Sequence, residues 1–218
     1  MYERENSVKM FSKERMKLLG ISLSKGQKIN LAKSLELEKL NICLGWDAAT
    51  DTKDVKGFFG KLRGATAQSI DCDASAILLS EGKLTHRNNL IYFGNTSTAG
   101  VAHSGDNLTG KGRGDDEIIS VTLCEVSSDV TELDFIVNIY NADSRKQDFG
   151  MIKNAYIRVV NTATNEELAR YSLSDDYSGY RTLRIGSLVR TPSGWDFQAI
   201  GEGTIDASIR DYLSNYHT

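Results

Sequence analysis

From residue 21 onward apolar and polar positions alternate with a period of two, the signature of strands with one buried face. Ile21-Ser22-Leu23 and Ile29-Asn30-Leu31 flank Ser24-Lys25-Gly26-Gln27, which predicts a hairpin. Within 40–47, Leu40, Ile42, Leu44 and Trp46 share one face, and Asp47 falls on the other at the strand's end. Within 70–79, Ile70, Cys72, Ala74, Ala76 and Leu78 face one way, and Asp71, Asp73 and Ser75 the other. Segments 90–93, 118–123, 133–140, 155–161, 168–173, 183–189 and 195–200 also predict strands, and Pro192 falls in a turn over 191–194. Helix is scarce. A short helical connection is expected over 147–150, and a last helix is expected with Thr204 as its cap. Asp206 would complement the dipole of that helix, and Ile205, Ile209, Tyr212 and Leu213 would form its apolar stripe. Many short strands with closely spaced turns predict an all-β fold: a sandwich of two antiparallel sheets with short helices and a C-terminal helix.

Residues 1–19 are charged and weakly patterned, and read as an N-terminal appendage to one domain over 20–218. Residues 53–69 break the alternation with Gly57-Phe58-Phe59-Gly60 and four basic residues. A loop of that length is a candidate for docking a partner. Of the 218 residues, 40% are apolar, enough for a core, and the net charge of −3 argues against general nucleic-acid binding. No apolar run is long enough for a membrane helix, so a transmembrane protein is not expected, and the polar start carries no apolar signal core. Cys43, Cys72 and Cys124 are widely spaced with no CxxC pair, which fits reduced thiols in a cytoplasm.

The candidate chemistry lies in residues 103–117, His103-Ser104-Gly105-Asp106-Asn107-Leu108-Thr109-Gly110-Lys111-Gly112-Arg113-Gly114-Asp115-Asp116-Glu117. Glycines let a loop turn its carbonyls inward, and the acids supply hard oxygens, the ligand type of Ca²⁺. Two readings stand at this point, a cation site and a solvated acidic loop. Asp71-x-Asp73-x-Ser75 begins like a calcium loop, but Ala76 and Gly82 stand where an EF-hand needs Gly and Glu. Gly110-x-Gly112-x-Gly114 is no phosphate cradle, because three acids follow it and would repel phosphate. Ser104 lacks the Gly-x-Ser-x-Gly frame of a nucleophile elbow, and His103, beside the acidic loop, reads as a surface histidine, with support of the loop's ligands as the alternative. No catalytic residue can be named.

In order along the chain, several pieces resemble the tellurium-resistance TerD family of bacterial stress proteins. They are Gly20-Ile21-Ser22-Leu23-Ser24-Lys25-Gly26, Gly45-Trp46-Asp47, Asp71-Cys72-Asp73-Ala74-Ser75-Ala76, Gly105-Asp106-Asn107-Leu108-Thr109-Gly110, Gly114-Asp115-Asp116-Glu117 and Phe149-Gly150 followed by Asn154-Ala155-Tyr156. The resemblance implies a two-sheet sandwich with a paired calcium site at one end, and a cytoplasmic protein. It also implies partners among other stress-operon proteins, some of them membrane-associated. With it, the expected ligands are Asp47, Asp71, Asp73, Ser75, Gly105, Asp106, Asn107, Gly112, Gly114, Asp115, Asp116, Glu117, Asn141, Asp143 and Asn154, and the expected cofactor is Ca²⁺ as two ions sharing carboxylates. The expected function is a calcium-binding, non-catalytic interaction module. The alternatives are a Ca²⁺-dependent enzyme acting on a phosphate-containing ligand, and a carbohydrate-binding sandwich. Cys72, Arg113 and the length of the 53–69 loop depart from the family pattern, and Arg113 would weaken a cation site if it pointed inward.

Overall fold

The computed structural model describes residues 20–31, 37–48, 70–105 and 114–216. The appendage over 1–19 and the loop over 53–69 lie outside the described residues, as do Asp106, Asn107 and Gly112. The strands are β1 (Ile21–Leu23), β2 (Lys28–Asn30), β3 (Lys39–Ala48), β4 (Cys72–Leu79), β5 (Leu90–Ile91), β6 (Ser97–Thr98) and β7 (Val101–His103). They continue as β8 (Glu117–Thr122), β9 (Glu132–Ile139), β10 (Ile152–Asn161), β11 (Glu166–Ser172), β12 (Thr182–Thr191) and β13 (Gly194–Thr204). Two short helices, α1 (Ala142–Arg145) and α2 (Ile209–Tyr212), complete the set with single 3₁₀ turns.

The strands form two sheets. One has the order β1-β11-β10-β3-β8-β7-β6 and the other β2-β13-β12-β9-β4-β5. Every pairing is antiparallel except β1 beside β11. The core lies between the sheets. Leu40, Ile42, Leu44 and Trp46 of β3 meet Cys72, Ala74, Ala76 and Leu78 of β4 there, together with Phe135 and Phe197. The faces read from alternation are the faces observed.

β4 is buried at every position, on both faces. Its outward residues Ile77 and Leu79 form a second cluster with Ile136 and Tyr212, so α2 seals the outer side of this sheet. A strand covered on both sides tolerates apolar residues at successive positions, as in Ile77-Leu78-Leu79.

Two local expectations change. The segments flanking 24–27 do not form a hairpin. β1 runs parallel to β11, with Ile21 opposite Ala169, and β2 pairs with β13, with Ile29 opposite Phe197. The turn closes, Gln27 N–H donating to Ser24 O at 3.0 Å, but its arms join different sheets. The last helix starts later than expected. Ser208, not Thr204, caps α2 by accepting from Asp211 N–H at 3.2 Å, while Thr204 ends β13 and Ile205 is exposed. The helical turn expected over 147–150 is present as a 3₁₀ turn at Phe149–Met151 capped by Asp148, and α1 adds a further turn before it.

Candidate functional site

One end of the sandwich gathers the acidic elements. The end of β3, the start of β8, the start of β10 and the end of β7 lie together there, fixed by Leu44 opposite Glu117, Asp47 opposite Lys153 and His103 opposite Ile119. The start of β4 and the end of β9 meet at Cys72 opposite Ile139. Gly105 (φ 107°) and Gly114 (φ 130°), both with left-handed backbone, bracket the loop between them.

Asp116 is half-buried. Its N–H donates to Leu44 O at 2.7 Å, and its Oδ2 accepts from Trp46 N–H at 2.8 Å. Burial pushes its carboxyl above the usual range. The Trp46 amide opposes that rise, while the charges of Asp47, Glu117 and Asp115 add to it. Asp47 is exposed and accepts from Asn154 Nδ2 at 2.8 Å. The register of β10 against β3 shifts between Lys153 and Tyr156, and Asn154 takes φ 55°. Asn tolerates that left-handed position, and the bulge brings its amide to Asp47. Asp47 and Asn154 line a cleft of about 500 Å³ with Trp46, Tyr156 and Arg170.

Glu117 points between the sheets and is 1% exposed. Its Oε2 accepts from Ala74 N–H of the opposite sheet at 2.6 Å, at a stretch of β4 beyond its pairing with β5. The same oxygen lies 3.3 Å from His103 Nε2. Gly105 N–H donates to His103 Nδ1 at 3.0 Å, so Nδ1 is the acceptor and Nε2 carries the proton toward Glu117. The surface reading of His103 is thereby overturned: it is buried and orients Glu117. Its sequence signal was the alternation Val101, His103, with both residues on the inward face of β7.

On β4, Asp73 and Ser75 are buried on the face turned from the main core, and Asp71 precedes the strand. Burial raises the Cys72 thiol, and the charges of Asp73, Asp71, Glu117 and Asp116 all add to the rise.

Four expected ligands have other partners, the first being Asp71, whose Oδ2 lies 3.8 Å from Arg145 Nη1. Asp115 turns to the outer face of its sheet, where its carboxylate takes Arg158 bidentately, with Nε at 2.8 Å and Nη2 at 2.6 Å, and accepts from Tyr156 OH at 2.9 Å. Burial works against that carboxylate, but the Arg158 and Tyr156 hydrogen bonds outweigh it and hold the carboxyl below its ordinary range. Gly45 makes the arrangement possible, because a Cβ there would stand 2.4 Å from the Tyr156 ring. Asp143 is exposed and paired with Arg181 at 2.6 Å. Asn141 stands before α1 with φ 52°, its carbonyl accepting from Arg145 N–H and Ser144 OH.

Arg158→Gln is expected to lower stability by about 1–2 kcal/mol at neutral pH. A carboxyl held below its unfolded value contributes stability above that value and loses it as pH falls through the folded one. The deficit of Arg158→Gln should therefore shrink in acid, as urea titrations at pH 7 and pH 3 would show.

The donor chemistry suits a hard cation: carboxylates and an amide, with burial and then neighbouring carboxylates raising Asp116. Among the described residues no group of three His, Cys, Asp or Glu side chains forms a ready cage. Asp106, Asn107 and Gly112 lie outside them.

Fold and site together define a two-sheet sandwich with an acidic end. The TerD domain family model matches residues 19–216, and this chain belongs to that family. It is 48% identical over 201 residues to stress response protein SCP2 of Bacillus subtilis (strain 168), covering 91% of this chain and all of that one. It is 38% identical to tellurium resistance protein TerD of Serratia marcescens, over 85% of this chain and 91% of that one. A Streptomyces coelicolor A3(2) homologue of telluride resistance protein (TerD) has the same fold, with TM-score 0.59 and 18% identity over 80% of this chain and 94% of that one. Among the described residues no helix is long and apolar enough to cross a membrane.

Proposed function

We propose that the acidic end of the sandwich binds Ca²⁺, as two ions, and that the protein is a cytoplasmic, non-catalytic stress-response module of the tellurium-resistance type. Its partners are other proteins of the same stress systems, membrane-associated ones among them. The observation that carries this reading is the half-buried Asp116 carboxylate, which accepts from Trp46 N–H at 2.8 Å, next in the chain to Glu117 and two residues after the left-handed Gly114; burial, with the charges of Asp47, Glu117 and Asp115, disfavours its ionised form. The residues that would hold the ions are Asp47, Asp71, Asp73, Ser75, Asp116, Glu117 and Asn154, with Asp106, Asn107 and the carbonyls of Gly105, Gly112 and Gly114 from the loop. Bound Ca²⁺ supplies neutralising charge and a fixed centre for that loop. Relatives named for stress response and tellurium resistance support the cellular role.

An ion that binds only the folded state stabilises it. At a free concentration a hundredfold above its dissociation constant, the gain is about 2.7 kcal/mol. Thermal melts in EGTA and in millimolar Ca²⁺ should therefore separate clearly, and Asp116→Asn and Asp73→Asn should each reduce the separation. Melts that coincide in EGTA, in Ca²⁺ and in both variants would remove the site.

A further inference from the structure

A second concave region lies away from the acidic end, between the β4–β5 connection and the C-terminal helix. It is a groove of about 1130 Å³, walled by Leu84, Leu90, Ile209 and Leu213 and rimmed by His86, Arg87 and Arg210. The four wall residues are half-buried, resting on the cluster of Ile77, Leu79, Ile136 and Tyr212 and leaving one side of each facing the groove. No acidic residue is among those that line it. Among the described residues, no ion pair engages Arg87 or Arg210. Three basic side chains around one apolar trough stand out in a chain of net charge −3. Tyr92 adds an aromatic wall, with Phe93 edge-on to it at 5.1 Å and 49% exposed.

We propose that this groove binds a single-chain amphiphilic carboxylate. The apolar chain would lie against Leu84, Leu90 and Leu213, and the head group would be held between Arg87 and Arg210. Guanidinium forks match a carboxylate in two-point geometry, and a concave apolar trough removes a chain from water where a flat face would not. The site shares no residue with the calcium reading and does not depend on it.

The test uses the full chain, labelled with ¹⁵N, in EDTA, titrated with sodium decanoate below its micelle concentration. Decanol and butyrate are the controls. Decanoate is expected to shift the amide signals of residues 84–92 and 208–213, with both controls binding roughly tenfold or more weakly. The double variant Arg87→Gln/Arg210→Gln should melt like the parent and bind decanoate roughly tenfold more weakly. Shifts absent or centred elsewhere would overturn the proposal, and so would equal affinity for decanoate and decanol in parent and variant. Binding to phosphatidylglycerol vesicles without binding to decanoate would make this a membrane-facing surface and would also overturn it.

Discussion

Arg184→Met is expected to cost about 3–5 kcal/mol at neutral pH, the usual loss when one partner of a buried ion pair is removed. Asp134 is 0% exposed, on the outer face of the second sheet beneath the C-terminal helix. Its Oδ1 accepts from Arg184 Nη2 at 2.8 Å, and its Oδ2 accepts from Tyr216 OH at 2.6 Å. Arg184 also reaches Glu132 at 2.7 Å. Burial pushes the Asp134 carboxyl up to about 6; Arg184 and Tyr216 oppose the rise, and Glu132 adds to it. An unfolded Asp titrates near about 3.9. A carboxyl raised on folding contributes stability that is full below the unfolded value and lost as pH rises through the folded one. Without Arg184 the carboxyl titrates higher still, so the deficit of the variant should open as pH rises and largely close by pH 5. Adding Asp134→Asn keeps an acceptor for Tyr216 and removes the unpaired charge, so the double variant should regain most of the loss. Denaturant titrations at pH 5 and pH 8 check all three. A single variant within 1 kcal/mol of the parent at both pH values would show that the pair does not hold this face.

Glu117→Ala should be the second large loss, and it should be present already without calcium. One carboxylate oxygen serves both the Ala74 amide and the His103 ring across the two sheets. Its removal orphans two buried donors, each costing about 1–3 kcal/mol. Glu117→Gln can place its amide oxygen at the same point, so its loss in EDTA should be smaller, about 1 kcal/mol. The pair separates two roles of the residue. Glu117→Ala should be weak in EDTA and in Ca²⁺ alike. Glu117→Gln should fold well in EDTA and gain less than the parent from added Ca²⁺. Equal stability of Glu117→Ala and the parent in EDTA would mean that the inter-sheet link carries no weight.

These two cases show how unevenly a chain reports its own structure. The carboxylates of 71–75 and 114–117 were legible as a set, because strand alternation and glycine spacing are local properties. Their division was not. Asp115 and Asp116 are neighbours in sequence, yet one carboxyl is lowered by Arg158, 43 residues away, and the other is raised by burial, with Asp47 adding to the rise. Nothing between positions 115 and 116 marks which will find a cation.

The sequence alone determined most of the strands, the buried faces of β3 and β4 and the two-layered architecture, since the period of a half-buried strand is set by backbone geometry within a few residues; the short β6 and β7 were not legible in it. It also showed that acids and glycines are concentrated over 103–117. Only the tertiary structure decided that β1 and β2 part into different sheets, that His103 is buried against Glu117, and that Tyr216 reaches Asp134 across 82 residues. The reason is physical: these are choices of partner between segments brought together by closure of the whole core, and each segment alone would satisfy its local geometry equally well with a different one.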